Sequence, residues 1–403
     1  MNKIVFFVLV QIIIIFHFRL QATENGVYIW QKKWNNQIAE SILKVEKYNL
    51  TYYIFAGDIS YENKKWGFRK ISVVWKYLKN TKKIILVFRI TQNAAAVLNS
   101  VNSEKFIEGL KLFICDIVNQ AKEEEVAIQG IQIDYDCPSK KLAGYKKLLK
   151  VINRHFFKSE ISITALPDWL DYNEFTELAG YCDYYVMQLH SFDIPKNNAE
   201  LNITPEIEQV KKYIKLCLKV KIPFFVALPT YGYEVNYNDS YAVTALRAEN
   251  TNFGQYRYFK KKIVAANIEK TLQIKKYLEN LKIKLLKGII WFRLPVENDI
   301  FNWSLKTFSA VMENCLTKSD CKIILEKSKD GAIGVFIENA GEANSFTENI
   351  CGLNLKNSRI ESFDLKKGFY LTSSNSLLIS KPILAGQRIY AGWIRLKNNS
   401  TNE

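Results

Sequence analysis

The sequence predicts an α/β protein: a (β/α)8 TIM barrel followed by a small all-β domain. Three observations carry that reading. Eight short β-rich apolar runs alternate with longer segments of helical spacing across roughly residues 27–315. The runs are unbroken rather than alternating, the pattern of strands buried on both faces and so of a parallel sheet. Beyond Leu316 the texture changes to short alternating strands punctuated by Asn, Gly, Ser and Lys.

Taken in order, residues 1–22 (MNKIVFFVLVQIIIIFHFRLQA) read as a secretory signal peptide, with Lys3 as the positive flank and residues 4–18 as the apolar core. Arg19 and the loose small-x-small match at Leu20, Gln21 and Ala22 leave a second reading open. In it the run stays on as an uncleaved anchor, since it nears the length that spans a bilayer. Both readings put the rest of the chain outside the cytoplasm: secreted, periplasmic or membrane-anchored.

The expected strands are VYIW at 27–30, TYYIFAG at 51–57, KIILVFRI at 83–90, AIQGIQID at 127–134, EISITAL at 160–166, CDYYVMQLH at 182–190, IPFFVALP at 222–229 and KGIIWFRLP at 287–295. Between them, 101–124, 140–156 and 205–220 carry apolar residues at helical spacing. Eight strand–helix units in about 290 residues fit a closed barrel. The rival is a doubly wound sheet, which uses fewer strands and often a glycine-rich phosphate loop; neither GxGxxG nor GxxxxGKS occurs. The seventh unit holds an insertion rich in Tyr, Asn and Lys between Pro229 and Asn267, at the strand end where barrels build their sites. The expected division is 23–315 for the barrel and 316–403 for a small β-sandwich-like accessory domain, from KIILEK, AIGVFIEN, SRIESFDL, YLTSS and RIYAGWIRL.

Composition bounds the rest. At 48% hydrophobic and 24% charged, the chain can bury a sizeable core, which excludes disorder, collagen and coiled coil as its main state. The net charge of +16 raises nucleic acid or another polyanion as a partner. The basic residues are spread along expected helices, as at 211–221 and 258–287, while the acidic residues of interest gather at strand ends. That is a basic outer shell around an acidic and aromatic mouth. It points away from nucleic acid and toward anionic glycans or a negatively charged cell envelope. Seven cysteines, an odd number, leave at least one thiol unpaired; Cys315 and Cys321 bracket a short polar loop and are the best disulfide candidate. With no CxxC and no Cys/His cluster, neither a metal nor a cofactor is expected. Sequons occur at Asn49, Asn202, Asn238 and Asn302.

The most informative stretch is QGIQIDYDCP at 129–138. On a strand, Ile131, Ile133 and Tyr135 face the surrounding helices, and Gln132, Asp134 and Asp136 face into the barrel. Two carboxyls and an amide on an inward face are not ordinary core, because a buried charge costs several kcal/mol unless it is paired. Crowding raises one carboxyl pKa and leaves an acid beside an ionised partner, an arrangement suited to cleaving a glycosidic bond. Two alternatives stand: ion pairs to an inward Arg89 or Arg293, and metal binding by the two aspartates.

These residues resemble the D-G-x-D-x-D-x-E signature of family-18 glycoside hydrolases, the chitinase-like barrels. YVMQLH at 185–190 is similar to that family's sixth strand, which ends Met-x-Tyr-Asp. ALPTYG at 227–232 is similar to its Gly-x-Pro-x-Tyr-Gly, and GIIW at 288–291 to the strand whose Trp floors the sugar subsite. The resemblance implies a glycosidase fold with Asp136 in the place of the acid Glu, Asp134 as the surviving middle Asp and Gln132 in the place of the first Asp. The family's Tyr-Asp pair falls on Leu189 and His190. A closer likeness is to an uncharacterised family of exported bacterial barrels with a similar D-Y-D-C-P strand.

The catalytic candidates are therefore Asp136, as general acid, and Asp134, supporting it. The binding candidates are Gln132, Gln188, His190, Tyr231, Glu234, Trp291, Arg293, Trp30 and Asp58, a ring of polar and aromatic groups at strand ends; Asp168 and Trp169 close the fifth strand in the same layer. His190 is a candidate base or ligand near neutral pH, and Trp291 a platform for a sugar ring. The expected function is an exported glycoside-hydrolase-like protein acting on a polysaccharide. The alternative is a barrel that binds carbohydrate, or serves at the cell surface, without cleaving it.

Overall fold

The computed structural model describes residues 24–91, 103–190, 203–238, 240, 242–247, 260–297, 299–315, 318–345, 349–353, 355, 359–372 and 376–397. The leader expected at 1–22 and the Asn202 sequon lie outside these residues.

The barrel strands follow from the apolar runs. They are β1 (Glu24–Ile29), β2 (Thr51–Glu62) with its hairpin partner β3 (Lys65–Lys70), β4 (Lys83–Ile90), β5 (Gly130–Asp134), β6 (Glu160–Ala165), β7 (Tyr184–Gln188) and β8 (Phe224–Pro229). The insertion forms an antiparallel sheet of β9 (Gly232–Tyr237), β10 (Val243–Arg247) and β11 (Lys260–Ala265), with β9 in the middle, before β12 (Leu286–Phe292) completes the ring. Strands β1, β2, β4, β5, β6, β7, β8 and β12 pair in parallel, and β1 closes the circle by pairing with both β2 and β12.

Helices α1 (Asn36–Val45), α2 (Ser103–Glu123), α3 (Leu142–His155), α4 (Asn173–Ala179), α5 (Ile207–Val220), α6 (Ile268–Asn280) and α7 (Leu305–Met312) flank the barrel. Their starts follow ordinary capping chemistry: Asn35, Asn267 and Ser304 each accept a backbone N–H with the side chain, and Glu206 with Gln209 forms a capping box on α5.

The second unit departs from the expected pattern. Instead of a helix, β2 runs on to Glu62 and turns back as β3 through Asn63 and Lys64, both with positive φ (52° and 60°). Trp66 of this hairpin stacks on Phe106 of α2 at 4.0 Å, so the hairpin covers that helix.

Alternation along the strands makes two cores. Ile131, Ile133, Met187 and Trp291 belong to the large core between strands and helices. Tyr28, Tyr53, Phe55, Val87, Val186, Phe225 and Ile290 fill the barrel itself. The β1–β12 seam depends on Gly288, where a Cβ would stand 1.7 Å from the Glu24 carbonyl oxygen.

Beyond α7 lies the all-β part. β13 (Cys321–Lys327) and β14 (Ile333–Asn339) lead to β15 (Asn349–Gly352), β16 (Ile360–Leu365), β17 (Phe369–Leu371), β18 (Ser376–Ile379) and β19 (Arg388–Leu396). They make antiparallel sheets of order β13-β14-β19-β16 and β15-β18-β17, which share a third core around Val335, Ile337, Phe369, Ile379 and Ile394. Asn344 joins this part to the barrel. Its amide donates to the Asn302 carbonyl at 3.0 Å, and its oxygen accepts from Ser304 N and Thr307 Oγ1. Asn302 is itself fully buried and donates to the carbonyls of Arg293 and Leu294, which takes its sequon out of reach in the folded chain.

The Cys315–Cys321 bridge expected from sequence is absent. Cys315 is exposed just after α7, whereas Cys321 is packed against the third core, and both thiols are free.

Candidate active site

The site is built on β5. Gln132 and Asp134 lie on its inward face, Asp136 stands just beyond its end, and the environment changes at each step. Gln132 is fully buried: its Oε1 accepts from the Tyr28 hydroxyl at 2.7 Å, and its amide donates to Ser162 Oγ at 3.2 Å. It is a strut inside the barrel, out of reach of any ligand, which corrects its expected place among the binding residues.

Asp134 lies one layer higher, 7% exposed, and its Oδ1 accepts from the Thr164 hydroxyl at 2.6 Å. Burial first, and the charge of Asp136 second, push its carboxyl up to about 7, against the pull of Thr164 and Arg89. Asp136 is open to solvent at the mouth but ringed by protein, and Gln188 Nε2 donates to its Oδ1 at 2.9 Å. Desolvation raises this carboxyl too, opposed by the Gln188 hydrogen bond and by Arg89. Asp134 ends β5, and Asp136 follows two residues later in the loop above it.

The loop after β5 is anchored from outside. Trp169 is sealed in the outer core and donates through Nε1 to the Cys137 carbonyl at 3.1 Å, while Tyr135 packs edge-on against Tyr145. Trp169 therefore supports the loop and does not line the mouth. Asp168 is exposed, accepts from Ser139 Oγ at 3.1 Å, and adds a raising influence on Asp136.

Across the mouth, Gln188 and His190 are the inward residues at the end of β7, and Leu189 is buried in the outer core. Leu189 thus faces away from the place where the chitinase pattern would want its Tyr. His190 stacks on Phe292 at 5.0 Å and 14°, with Nδ1 3.4 Å from the Tyr231 hydroxyl. Burial lowers its pKa to about 4. At neutral pH it is an uncharged hydrogen-bonding ring, not the titrating base that its residue type suggested. Tyr231 is nearly buried and receives a hydrogen bond from the Tyr233 hydroxyl at 3.2 Å; burial pushes its own hydroxyl up to about 12, so it stays protonated.

Three other expected residues fall elsewhere. Trp291 points outward, fully buried against Trp303 and Phe308, and cannot floor a sugar subsite. Phe292 takes the inward place, in ring contact with Tyr28, Trp30, His190 and Tyr231. Arg293 is buried in an ion pair with Asp299 at 2.8 Å. Glu234 lies on β9 opposite Arg247 of β10, 4.0 Å from its guanidinium, within the sheet of the insertion. The likeness of GIIW to a sugar-binding strand placed Trp291 inward, whereas the strand alternates with Ile289 and Trp291 in the outer core and Ile290 and Phe292 toward the barrel.

The rim of β1 and β2 does converge on the mouth. Trp30 stacks on Phe55 at 4.6 Å. Asp58, 4% exposed, accepts from Arg69 and, at 2.7 Å, from Arg89 Nε. The ion pair expected as an alternative for Asp134 and Asp136 is thus made by Asp58. Thr164, Phe292 and Arg89 were not among the expected site residues. The sequence names Arg89 only as an ion-pair partner for the two aspartates and singles out neither Thr164 nor Phe292. Among the described residues no three His, Cys, Asp or Glu side chains gather as metal ligands.

Residues 85–297 match the family model described as Domain of unknown function (DUF3142). In structure the chain is similar to the spore cortex-lytic enzyme SleL of Bacillus cereus, with a TM-score of 0.51 at 14% identity over 73% of this chain and 74% of that one. It is also similar to a chitinase from Bacteroides thetaiotaomicron, with a TM-score of 0.51 at 15% identity over 73% of this chain and 97% of that one. At such identities the likeness shows a shared barrel fold. No curated protein matches the chain by sequence.

Proposed function

The chain belongs to the family described as Domain of unknown function (DUF3142), a description that names no reaction, and we propose that it is an exported protein that binds a glycan at the barrel mouth and hydrolyses a glycosidic bond there. The observation that carries the reading is the Asp134–Asp136 pair: two carboxyls on one inward face, both with raised pKa, the outer one open to solvent and held by Gln188. Asp136, kept protonated further toward neutral pH than an ordinary Asp, donates its proton to the departing glycosidic oxygen. As that bond breaks, water bonds to the anomeric carbon in its place, and the proton the water releases restores the carboxyl pair, whose charge Asp134, hydrogen-bonded to Thr164, shares. The polysaccharide-degrading names of the two structural relatives support a polysaccharide as substrate, and the apolar leader supports export.

The second reading is a glycan-binding barrel without hydrolysis. It is favoured by the side chain at 136, which is one methylene shorter than the Glu of the chitinase signature. One experiment separates the two: wild type and Asp136→Asn incubated with a panel of neutral, N-acetylated and acidic polysaccharides, with reducing ends and bound glycan both measured. Hydrolysis by wild type that falls 10²- to 10⁴-fold in the variant is expected. Glycan binding with no cleavage of any polysaccharide would leave the binding reading standing.

A further inference from the structure

Arg89 lies one strand away from the carboxyl pair. On β4 it is in register with Asp134 on one side and Asp58 on the other. Its guanidinium lies over the Phe55 ring at 5.3 Å and the Trp30 ring at 6.0 Å, inside the aromatic lining of the barrel. Its Nε donates to Asp58 Oδ1, and Asp58 is also held by Arg69. One buried carboxylate thus serves two guanidinium groups, and the positive charge it does not balance acts on Asp134 and Asp136, whose carboxyls Arg89 pulls down. A guanidinium carries five N–H donors in a planar fork. In Arg89 the Nε–H is bonded, and the two terminal nitrogens make no hydrogen bond among the described residues. The side chain is 33% exposed.

Resting on the glycan reading above, we propose that the free fork of Arg89 is a carboxylate-recognition site, so that the glycan taken at the mouth is an acidic one bearing a uronic-acid-type carboxylate. The chemistry supports that choice over a bare hydroxyl. A fork matches a carboxylate with two parallel hydrogen bonds, each roughly twice as strong as a neutral one. The buried rings of Trp30 and Phe55, 6.0 and 5.3 Å from the guanidinium, add cation–π attraction that holds the Arg89 head group at the barrel lining. The neighbouring carboxyls do not repel the incoming anion fully, because both are shifted toward their protonated forms.

The test compares acidic polysaccharides, namely polygalacturonate, polymannuronate and a glucuronate-containing glycan, with the same chains after chemical reduction of their carboxyls to alcohols. A sulfated neutral glycan serves as a further arm. Binding is measured to wild type, Arg89→Gln and Arg89→Lys, with folding of each checked by circular dichroism. Wild type should hold at least one carboxylated chain about 10- to 100-fold more tightly than its reduced partner. Arg89→Gln should erase that preference, and Arg89→Lys should keep part of it, as a point charge without the fork. Equal binding of native and reduced chains by wild type overturns the proposal even if the variants do not fold, and leaves glycan binding intact. A preference for sulfate over carboxylate overturns the choice of anion. Binding to none of these chains overturns the proposal, and absence of binding to the neutral and N-acetylated polysaccharides as well overturns the glycan reading.

Discussion

Asp134→Asn should make the protein more stable at neutral pH, at the expense of the site. A carboxyl held at about 7 instead of its ordinary 3.8 is disfavoured as an anion in the folded state by on the order of 4 kcal/mol. Because the folded pKa is raised, the folded chain holds this proton more tightly than the unfolded one. Stability therefore falls as pH rises from about 4 to about 7, and the full penalty is present above that window. Asn keeps the shape, and its side-chain oxygen can still accept from the Thr164 hydroxyl, which now donates at 2.6 Å. What it removes is the buried charge and its repulsion with Asp136. With part of that repulsion shared by the pair, a gain of about 2–4 kcal/mol is expected at pH 8, shrinking to about 1 kcal/mol at pH 4.5. Urea denaturation of both proteins at pH 4.5, 6 and 8 measures this directly, with the m-value checked for constancy. A gap that is the same at pH 4.5 and pH 8, or a variant no more stable than wild type at pH 8, would refute the reasoning.

The remaining predictions concern placement and closure. Trp291→Ala should cost about 3–5 kcal/mol of stability, because the ring is fully buried against Trp303 and Phe308; glycan affinity of the folded fraction should not change, and a specific loss of affinity would contradict the outward placement. Phe292→Ala should do the opposite in kind, weakening glycan binding by removing the ring that contacts His190, Trp30 and Tyr231. With its pKa lowered to about 4 by burial, His190 binds its proton less tightly folded than unfolded. The stability it contributes is present above about pH 6.5 and is lost as pH falls toward 4; its ring-proton NMR signal should stay flat from pH 5.5 to 8, and a midpoint near 6.5 would show an open, ordinary imidazole. Gly288→Val should prevent soluble folding, since even a Cβ at that position meets the Glu24 carbonyl oxygen at 1.7 Å; a variant with wild-type circular dichroism and melting would mean that the β1–β12 seam tolerates widening.

How much of this was legible in the sequence depends on which physical signal each part left. The eight barrel strands could be read because each is buried on both faces and so leaves an unbroken apolar run. The inward phase of β5 could be read because Gln132 and Asp134 alternate with Ile131 and Ile133 along a strand whose pairings carry no break, and Tyr135, in the outer core, keeps that phase into the loop that bears Asp136. At β12 the family likeness misled: the resemblance of GIIW to a sugar-binding strand gave Trp291 the inward place that Phe292 holds, although Ile289 and Trp291 alternate outward against Ile290 and Phe292. The missing second helix was hidden for a different reason. β2 passes through a register break between Phe55 and Gly57, and beyond Ile59 its last residues, Ser60 to Glu62, are partly exposed, so apolar patterning fades where the hairpin begins. Chemistry was harder still to read than phase. His190 looked like a titrating group because the residue type usually is one, yet its behaviour is set by burial against Phe292, a contact between β7 and the end of β12 that no local pattern contains. Asp58 and Arg89 show the same limit from the other side. Each was visible as a charged residue near a strand end, but that they neutralise each other, with Arg69 as a third member, depends on the adjacency of β2, β3 and β4. That adjacency shapes the electrostatics of the mouth: it ties Asp58 to two guanidinium groups, sets Arg89 beside a pair of carboxyls that burial raises, and lets Arg89 oppose that rise in both Asp134 and Asp136.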